Sequence, residues 1–186
     1  MAVDFLAKGI DPSDFNDANL STTVDSNKVP RLIQSAAAAG TAGAWEAGRD
    51  YIVIKGTSLG MNAAASKWSY VEGSGSTSTI KLWGMNDLVA GERVISLDAL
   101  SRTLIGTSTS AFSYQVATSG ANLAPTAAYQ PPNITTNYLV YGVSSDVDLS
   151  VPYNRADYYI KRPTDISPRC AKGTGTLYKA VLSHNG

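Results

Sequence analysis

The sequence predicts an α+β fold that is mostly β, with an antiparallel sheet of about six to eight strands and one short N-terminal helix. Many short segments alternate apolar with polar residues, and turn-forming residues separate them. Only one segment has the composition of a helix. The chain has 186 residues, of which 44% are hydrophobic and 16% charged, which is enough for one domain with extensions.

The helix prediction concerns the segment VPRLIQSAAAAG. Pro30 suits the start of a helix, a run of alanines follows, and Gly40 can end it. Residues 1–28 are rich in Asp, Asn, Ser and Thr with weak periodicity, so we expect loop there. We therefore divide the chain into an N-terminal polar segment with the short helix, residues 1–44, and a β-rich globular domain, residues 45–186.

The strand predictions depend on alternation along each segment. In AFSYQVAT, Phe112, Tyr114 and Val116 are expected to point to one face. Most aromatic residues alternate within such segments, so core packing is expected to account for them. The segment 118–133 contains three prolines and is predicted to be a long loop. The predicted strands are DYIVIKG (50–56), KWSYVEG (67–73), STIKLWG (78–84), ERVISL (92–97), AFSYQVAT (111–118), NYLVYGV (137–143), DYYIKR (157–162) and GTLYKAVLSH (175–184).

Charge gives no sign of a nucleic-acid or membrane partner. The chain has 15 basic and 15 acidic residues, so no strong overall field is expected. The distribution is uneven, because residues 1–30 are acidic and residues 151–186 are basic. We interpret these regions as solvated faces, with contact between neighbouring subunits as the alternative.

Residue types that often carry chemistry are sparse. His184 is the only histidine; so near the end of the sequence it is expected to be exposed rather than a catalytic base. Cys170 is the only cysteine and is interpreted as a small buried residue or as the unpaired half of a lost disulfide. Asp146 and Asp148 suit a turn better than a calcium loop. We predict a protein that is not an enzyme and has no cofactor or metal.

The order of residues in the C-terminal part is more informative than the composition. YGVSSDVDLSVPYNRADYYIKRP, followed by CAKGTGTLYKA, resembles PilW-like type IV pilus assembly proteins. DYIVIKGTSLGMNAAASKWSYV and NDLVAGERVISLD are similar to the middle of that family. The resemblance spans about residues 45–186.

The resemblance implies a pilin-like sheet with a short helix packed on it. It implies the non-enzymatic head domain of a minor pilin or pseudopilin, extracellular or periplasmic, which takes part in assembly of a type IV pilus or related secretion filament. Its partners would be other pilins or pilus assembly subunits. The interface charges expected on this basis are Arg155, Asp157, Arg162 and Lys172.

The same resemblance assigns a scaffold role to DLSVPYNRADYYIKRP. It would be a loop that leads into a core strand. Tyr158 and Ile160 are then expected to face one side of the sheet, and Tyr159 and Lys161 the other. Arg155 and Asp157, two residues apart, are expected to pair locally.

This sequence departs from the family pattern at both ends. Family members begin with a prepilin motif and a long apolar helix, and a second cysteine past LYKAVLSHNG could pair with the one matching Cys170. The expectation is an excised or truncated head domain, or the head half of a split pilin that binds a helix-only partner. Membrane contact would come only through that helix.

Two alternatives stay open. One is a filament-exposed binding module for a surface, a sugar or DNA, carried by residues 118–133 and the C-terminal basic residues. The other is an unrelated phage or appendage subunit.

Overall fold

A computed structural model describes residues 33–37, 50–107, 111–144, 147–149, 151–162, 165, 167–171, 173–182 and 184. These residues form antiparallel strands and short 3₁₀ turns, which confirms the mostly β prediction. The strands are β1 (Ile33–Ala37), β2 (Asp50–Gly56), β3 (Trp68–Glu72), β4 (Thr79–Ile80), β5 (Arg93–Asp98), β6 (Ser113–Gln115), β7 (Ala117–Ser119), β8 (Asn122–Ala124), β9 (Tyr138–Ser144), β10 (Asn154–Lys161) and β11 (Thr176–Leu182). The 3₁₀ turns are Thr57–Leu59, Ala63–Ser66, Gly75–Thr77 and Ala127–Tyr129.

The larger sheet has seven strands in the order β6-β5-β9-β3-β4-β8-β7. Its two end strands, β6 and β7, are consecutive in the chain and only Val116 separates them. The Val116 N–H donates to the Glu92 carbonyl, and the Val116 carbonyl accepts from the Gly91 N–H, both at 2.9 Å. The sheet therefore curls back on itself, as the right-handed twist of strands favours.

Strands β5 and β9 separate two hydrophobic cores. Val94 and Val140 belong to the core inside the curled sheet, together with Tyr114 and Val116. The opposite face contributes Ile95, Leu97 and Val143 to a second core, which also contains Phe112 and Tyr153. A strand buried on both faces reads as a continuous apolar run, as in RVISL. Phe112, Tyr114 and Val116 are all buried, but the prediction that they share one face is wrong for Phe112, which packs in the second core while the other two pack in the inner one.

The smaller sheet has four strands in the order β1-β2-β10-β11. Strand β1 pairs with β2 from Ile33↔Ile54 to Ala37↔Asp50. The helix prediction is therefore wrong for residues 33–37, and the rest of the predicted helix lies outside the described residues. The predicted boundary between residues 44 and 45 also lies outside them, but β1 and β2, one from each predicted part, share this sheet.

Two further segments differ from prediction. Only Thr79–Ile80 of STIKLWG is a strand. The predicted loop 118–133 contains the β7–β8 hairpin, whose turn uses Gly120 at φ 61, a left-handed conformation that glycine adopts without penalty. Among the described residues, no helix is long and apolar enough to cross a membrane.

Candidate functional site

An aromatic cleft lies on the outer face of the curled sheet. It has a volume of about 290 Å³ and is lined by Ser66, Trp68, Trp83, Met85 and Asn86. Trp68 is on β3, where the inward positions are taken by Ser69 and Val71. Trp68 and Trp83 are 50% and 49% exposed. Since an exposed aromatic cluster of this kind is uncommon on a soluble surface, the cleft is a candidate ligand site.

The rings of the cleft are held in place by neighbouring groups. Trp83 Nε1 donates to the Trp68 carbonyl at 3.1 Å, and the two ring centroids are 5.5 Å apart at 52°. The Tyr70 ring meets Trp83 edge-on at 5.5 Å. Asp87 accepts from the backbone N–H of Trp83 at 2.6 Å and of Gly84 at 2.9 Å, which fixes the turn that carries the indole. The aromatic surface is therefore preorganised.

The two lysines beside the cleft are paired with carboxylates, and the Asp87 carboxylate accepts from two backbone N–H groups. Lys67 Nζ binds Glu92 Oε1 at 2.5 Å, with both side chains largely buried. Lys81 Nζ lies 3.4 Å from Glu72 Oε1. The five lining residues carry no charge themselves. A ligand in the cleft would meet π faces, one amide and one hydroxyl rather than a fixed charge.

A second candidate surface is the apolar face of the four-stranded sheet. Cross-strand partners in an antiparallel sheet point to the same side, so the pairs Ile33↔Ile54, Ile52↔Tyr158 and Ile160↔Leu177 share one face. Leu177 is 69% exposed and Ile33 55%. We call these six residues the apolar face. The opposite face carries the buried residues Val53, Lys55 and Arg155.

The predicted interface charges occupy different places. Arg155 is only 4% exposed, and its Nε and Nη2 donate to the two carboxylate oxygens of Asp157 at 2.7 Å each. The predicted local pair is confirmed. Arg162 is exposed beyond the far end of β10, seven residues or roughly 23 Å from Arg155. The structure does not bring Arg162 and Arg155 together, and Lys172 lies outside the described residues.

Strand β10 has the predicted orientation. Tyr158 and Ile160 lie on the apolar face, and Tyr159 lies on the other side, opposite Tyr178. The two tyrosine rings stack with centroids 5.7 Å apart and an angle of 12°. These contacts tie β10 to β11.

Of the residues with reactive side chains, two differ from expectation. Cys170 is a free, exposed thiol, so its interpretation as a buried residue is wrong. His184 is half-buried rather than exposed, and its Nε2 lies 3.2 Å from Asn154 Oδ1. Asn154 Nδ2 donates to the Thr57 carbonyl at 2.6 Å, so Oδ1 must accept and His184 Nε2 must donate. Burial lowers the pKa of His184.

Acidic and metal-binding groups form no centre in the part of the chain that the structure describes. Asp146 lies outside that part, and Asp148 accepts from Arg93 Nη2 at 2.6 Å. No group of three His, Cys, Asp or Glu side chains among the described residues could hold a metal ion. Comparison with protein-family models, curated proteins and solved structures found no match.

The aromatic cleft was missed by sequence reasoning, which assigned most aromatics to the core. Trp68 and Tyr70 alternate as predicted, but they occupy the outward phase of β3. The available signal was Val71, which is apolar in the opposite phase and indicates which side is buried. The partner, Trp83, lies beyond the end of β4, so no alternation along one strand could have placed it.

Proposed function

We propose that this chain is a non-enzymatic head domain of a filament subunit, of the minor pilin or pseudopilin class, whose apolar face receives an apolar helix. The helix would come from a longer form of the same subunit or from a helix-only partner. The domain would act outside the cytoplasm, at the cell surface or in the periplasm, in a type IV pilus or related secretion filament. Neighbouring pilins would be its partners.

The apolar face is the observation that carries the proposal. An antiparallel sheet with one buried face normally presents polar residues on the other. Here the second face carries isoleucines, a tyrosine and a leucine across four strands, with Leu177 and Ile33 more than half exposed and one exposed lysine, Lys179, opposite Tyr158. Such a surface favours burial against another layer of secondary structure. The resemblance to PilW-like proteins supplies the helix as that layer.

The charged residues would serve the contacts around this helix–sheet unit. Arg162 is exposed just after the end of β10, and Lys172 follows ten residues later among the C-terminal basic residues of the sequence. Arg155 and Asp157 lie on the buried side of β10. The Arg155 side chain is buried, and the Asp157 side chain is partly exposed. We therefore assign Arg162 and Lys172 to subunit contact, with Arg155 holding Asp157 in position.

The test compares two substitutions on adjacent positions of β11. Leu177→Glu places a carboxylate on the apolar face, whereas Thr176→Glu places one on the other face, opposite Lys161. Both positions are exposed, so each change is expected to alter the free energy of unfolding by only about 0.5 kcal/mol. Tagged chains would be expressed in the source cells, and sheared surface filaments would be analysed by immunoblot.

We expect the parent chain and Thr176→Glu in the filament fraction, and Leu177→Glu strongly depleted from it. Equal recovery of both variants would show that the apolar face is not the contact surface. Absence of the parent chain from filaments would refute the filament role. Recovery in virus particles or another appendage would instead support the unrelated structural subunit.

A further inference from the structure

We propose that the aromatic cleft is a binding site for a neutral pyranose sugar of a glycan, with Trp83 and Trp68 as the stacking surface and Asn86 as the polar contact. This inference concerns a different surface from the apolar face and does not depend on the filament role. Four properties of the cleft lead to it: its exposed rings, their fixed geometry, its missing charge and its polar edge.

The geometry of the rings decides where a ligand can lie. The centroids of Trp68 and Trp83 are 5.5 Å apart, which is contact distance for aromatic pairs, so nothing can insert between them. A cage that surrounds a quaternary ammonium group needs open space between its rings. A ligand must therefore lie flat against an exposed ring face. A pyranose ring offers a flat surface of C–H groups that can cover an indole in this way.

The polar edge of the cleft suits hydroxyl groups. Asn86 has φ 53, a left-handed conformation that asparagine tolerates. Its Nδ2 lies 3.4 Å from the Ser66 carbonyl and 3.5 Å from Ser66 Oγ. These contacts are long and weak, and neither uses Oδ1. The side-chain amide can therefore turn toward a ligand, where it donates to one sugar hydroxyl and accepts from another.

The charge pattern separates this ligand class from anionic ones. Nucleic-acid sites combine stacking residues with cations that contact phosphates. The two lysines near the cleft are already paired with Glu92 and Glu72, and no charged residue lines it. A neutral ligand is favoured for the same reason over an acidic sugar. The volume of about 290 Å³ is close to the lower limit for small-molecule sites, so one or two sugar units would fit.

The experiment is a binding screen followed by a titration. The whole chain is applied to an array of neutral and acidic glycans, and each neutral hit is titrated as a free oligosaccharide while tryptophan fluorescence is recorded. Maltoheptaose, cellohexaose and N-acetylchitohexaose serve as soluble probes in every case. We expect at least one neutral oligosaccharide to bind, with a change in tryptophan emission, and acidic glycans to give no stronger signal.

The variants locate the site. Trp83→Ala should weaken binding about tenfold or more, because one stacking surface is removed. Trp83→Phe keeps a ring in place and should retain part of the affinity, and Asn86→Ala should weaken binding without touching the aromatic surface. Leu100→Ala is the control, since Leu100 is exposed and does not line the cleft; it should bind like the parent chain. Circular dichroism checks that each variant is folded.

Three results would overturn the proposal. One is the absence of binding to any neutral glycan at millimolar concentration. Another is binding that Trp83→Ala, Trp83→Phe and Asn86→Ala all leave unchanged, because the sugar would then occupy another surface. The third is a change in the emission of the two tryptophans when a filament subunit is added but not when any glycan is added. The cleft would then be a protein contact.

Discussion

At the scale of single residues, His184 couples stability to pH. Its ring is half-buried and donates to Asn154, which in turn donates to the Thr57 carbonyl beyond the end of β2. Burial disfavours the charged imidazolium, so the pKa of His184 is lower in the folded chain than in the unfolded one. The unfolded state therefore takes up the proton first as the pH falls.

The sign of the resulting pH dependence follows from linkage. Neutral His184 contributes to the free energy of unfolding. This contribution is fully present above the unfolded pKa of about 6.5 and is lost as the pH falls through the lower folded pKa. We expect the free energy of unfolding, measured in urea, to decrease from about pH 7.5 to about pH 5.5. His184→Gln keeps a donor but cannot titrate, so its curve should be flatter over that interval. Identical slopes for the two chains would contradict the assignment.

At the scale of elements, Gly142 fixes how β9 meets the 3₁₀ turn Ala63–Ser66. Its N–H donates to the Lys67 carbonyl at 3.0 Å. A Cβ at this position would lie 2.0 Å from the Ala64 carbonyl oxygen, which is backbone and cannot move aside cheaply. The glycine of the YGV motif is therefore required by the close approach of two backbones.

Gly142→Ala should destabilise the fold by about 1–3 kcal/mol, the usual cost of overpacking. The measurement is the midpoint of urea unfolding. Thr118→Ala, on the exposed side of β7, is the control and should change stability by less than about 0.5 kcal/mol. A Gly142→Ala midpoint equal to that of the parent would show that the turn can shift away from β9.

Local pattern predicted the strands better than it predicted the helix. RVISL and SYQV carry their own signal, because β-branched and aromatic residues suit a pleated surface. The alanine-rich segment has high helix propensity, but residues 33–37 pair with β2 along their whole length. Ladder hydrogen bonds with a distant strand outweigh a preference of a few tenths of a kcal/mol per residue. That pairing could not be read from the segment alone.

The candidate sites show a similar limit. The local Arg155–Asp157 contact followed from spacing within one strand, and the structure confirms it. The aromatic cleft joins Trp68 with Trp83 across the β3–β4 connection, fifteen residues apart. The cleft exists because Trp68 and Tyr70 are on the side of β3 that faces away from the core. Val71, on the other side of β3, packs with Ile80 and Val140 in the inner core. The outward position of Trp68 and Tyr70 therefore depends on the tertiary packing of the sheet and could not be predicted from one strand.

At the scale of the whole molecule, the Tyr153 side chain contacts both sheets. Tyr153 comes directly before β10 of the four-stranded sheet but packs with Ile95, Leu97 and Val143, which belong to the curled sheet. Lys55 of β2 also places its ammonium 5.4 Å from the centre of the Tyr153 ring. The buried ring thus contacts both sheets, so folding of one should support folding of the other.

Tyr153→Ala tests this coupling. Removing a fully buried aromatic side chain should cost about 3–5 kcal/mol. In a Trp45→Phe background, which leaves Trp68 and Trp83 as the tryptophans, we expect two probes to report one transition: tryptophan fluorescence for the curled sheet, and amide hydrogen exchange of β2 and β10 for the smaller sheet. In Tyr153→Ala the amides of β2 and β10 should exchange at lower denaturant concentration than the fluorescence midpoint.

A control separates coupling from general loss of stability. Tyr178→Ala removes the ring that stacks on Tyr159 within the smaller sheet and leaves the Tyr153 contact intact. It should lower the stability of the chain while keeping the two transitions together. If the transitions coincide in Tyr153→Ala as well, other contacts connect the sheets. If they are already separate in the parent chain, the sheets fold independently of each other.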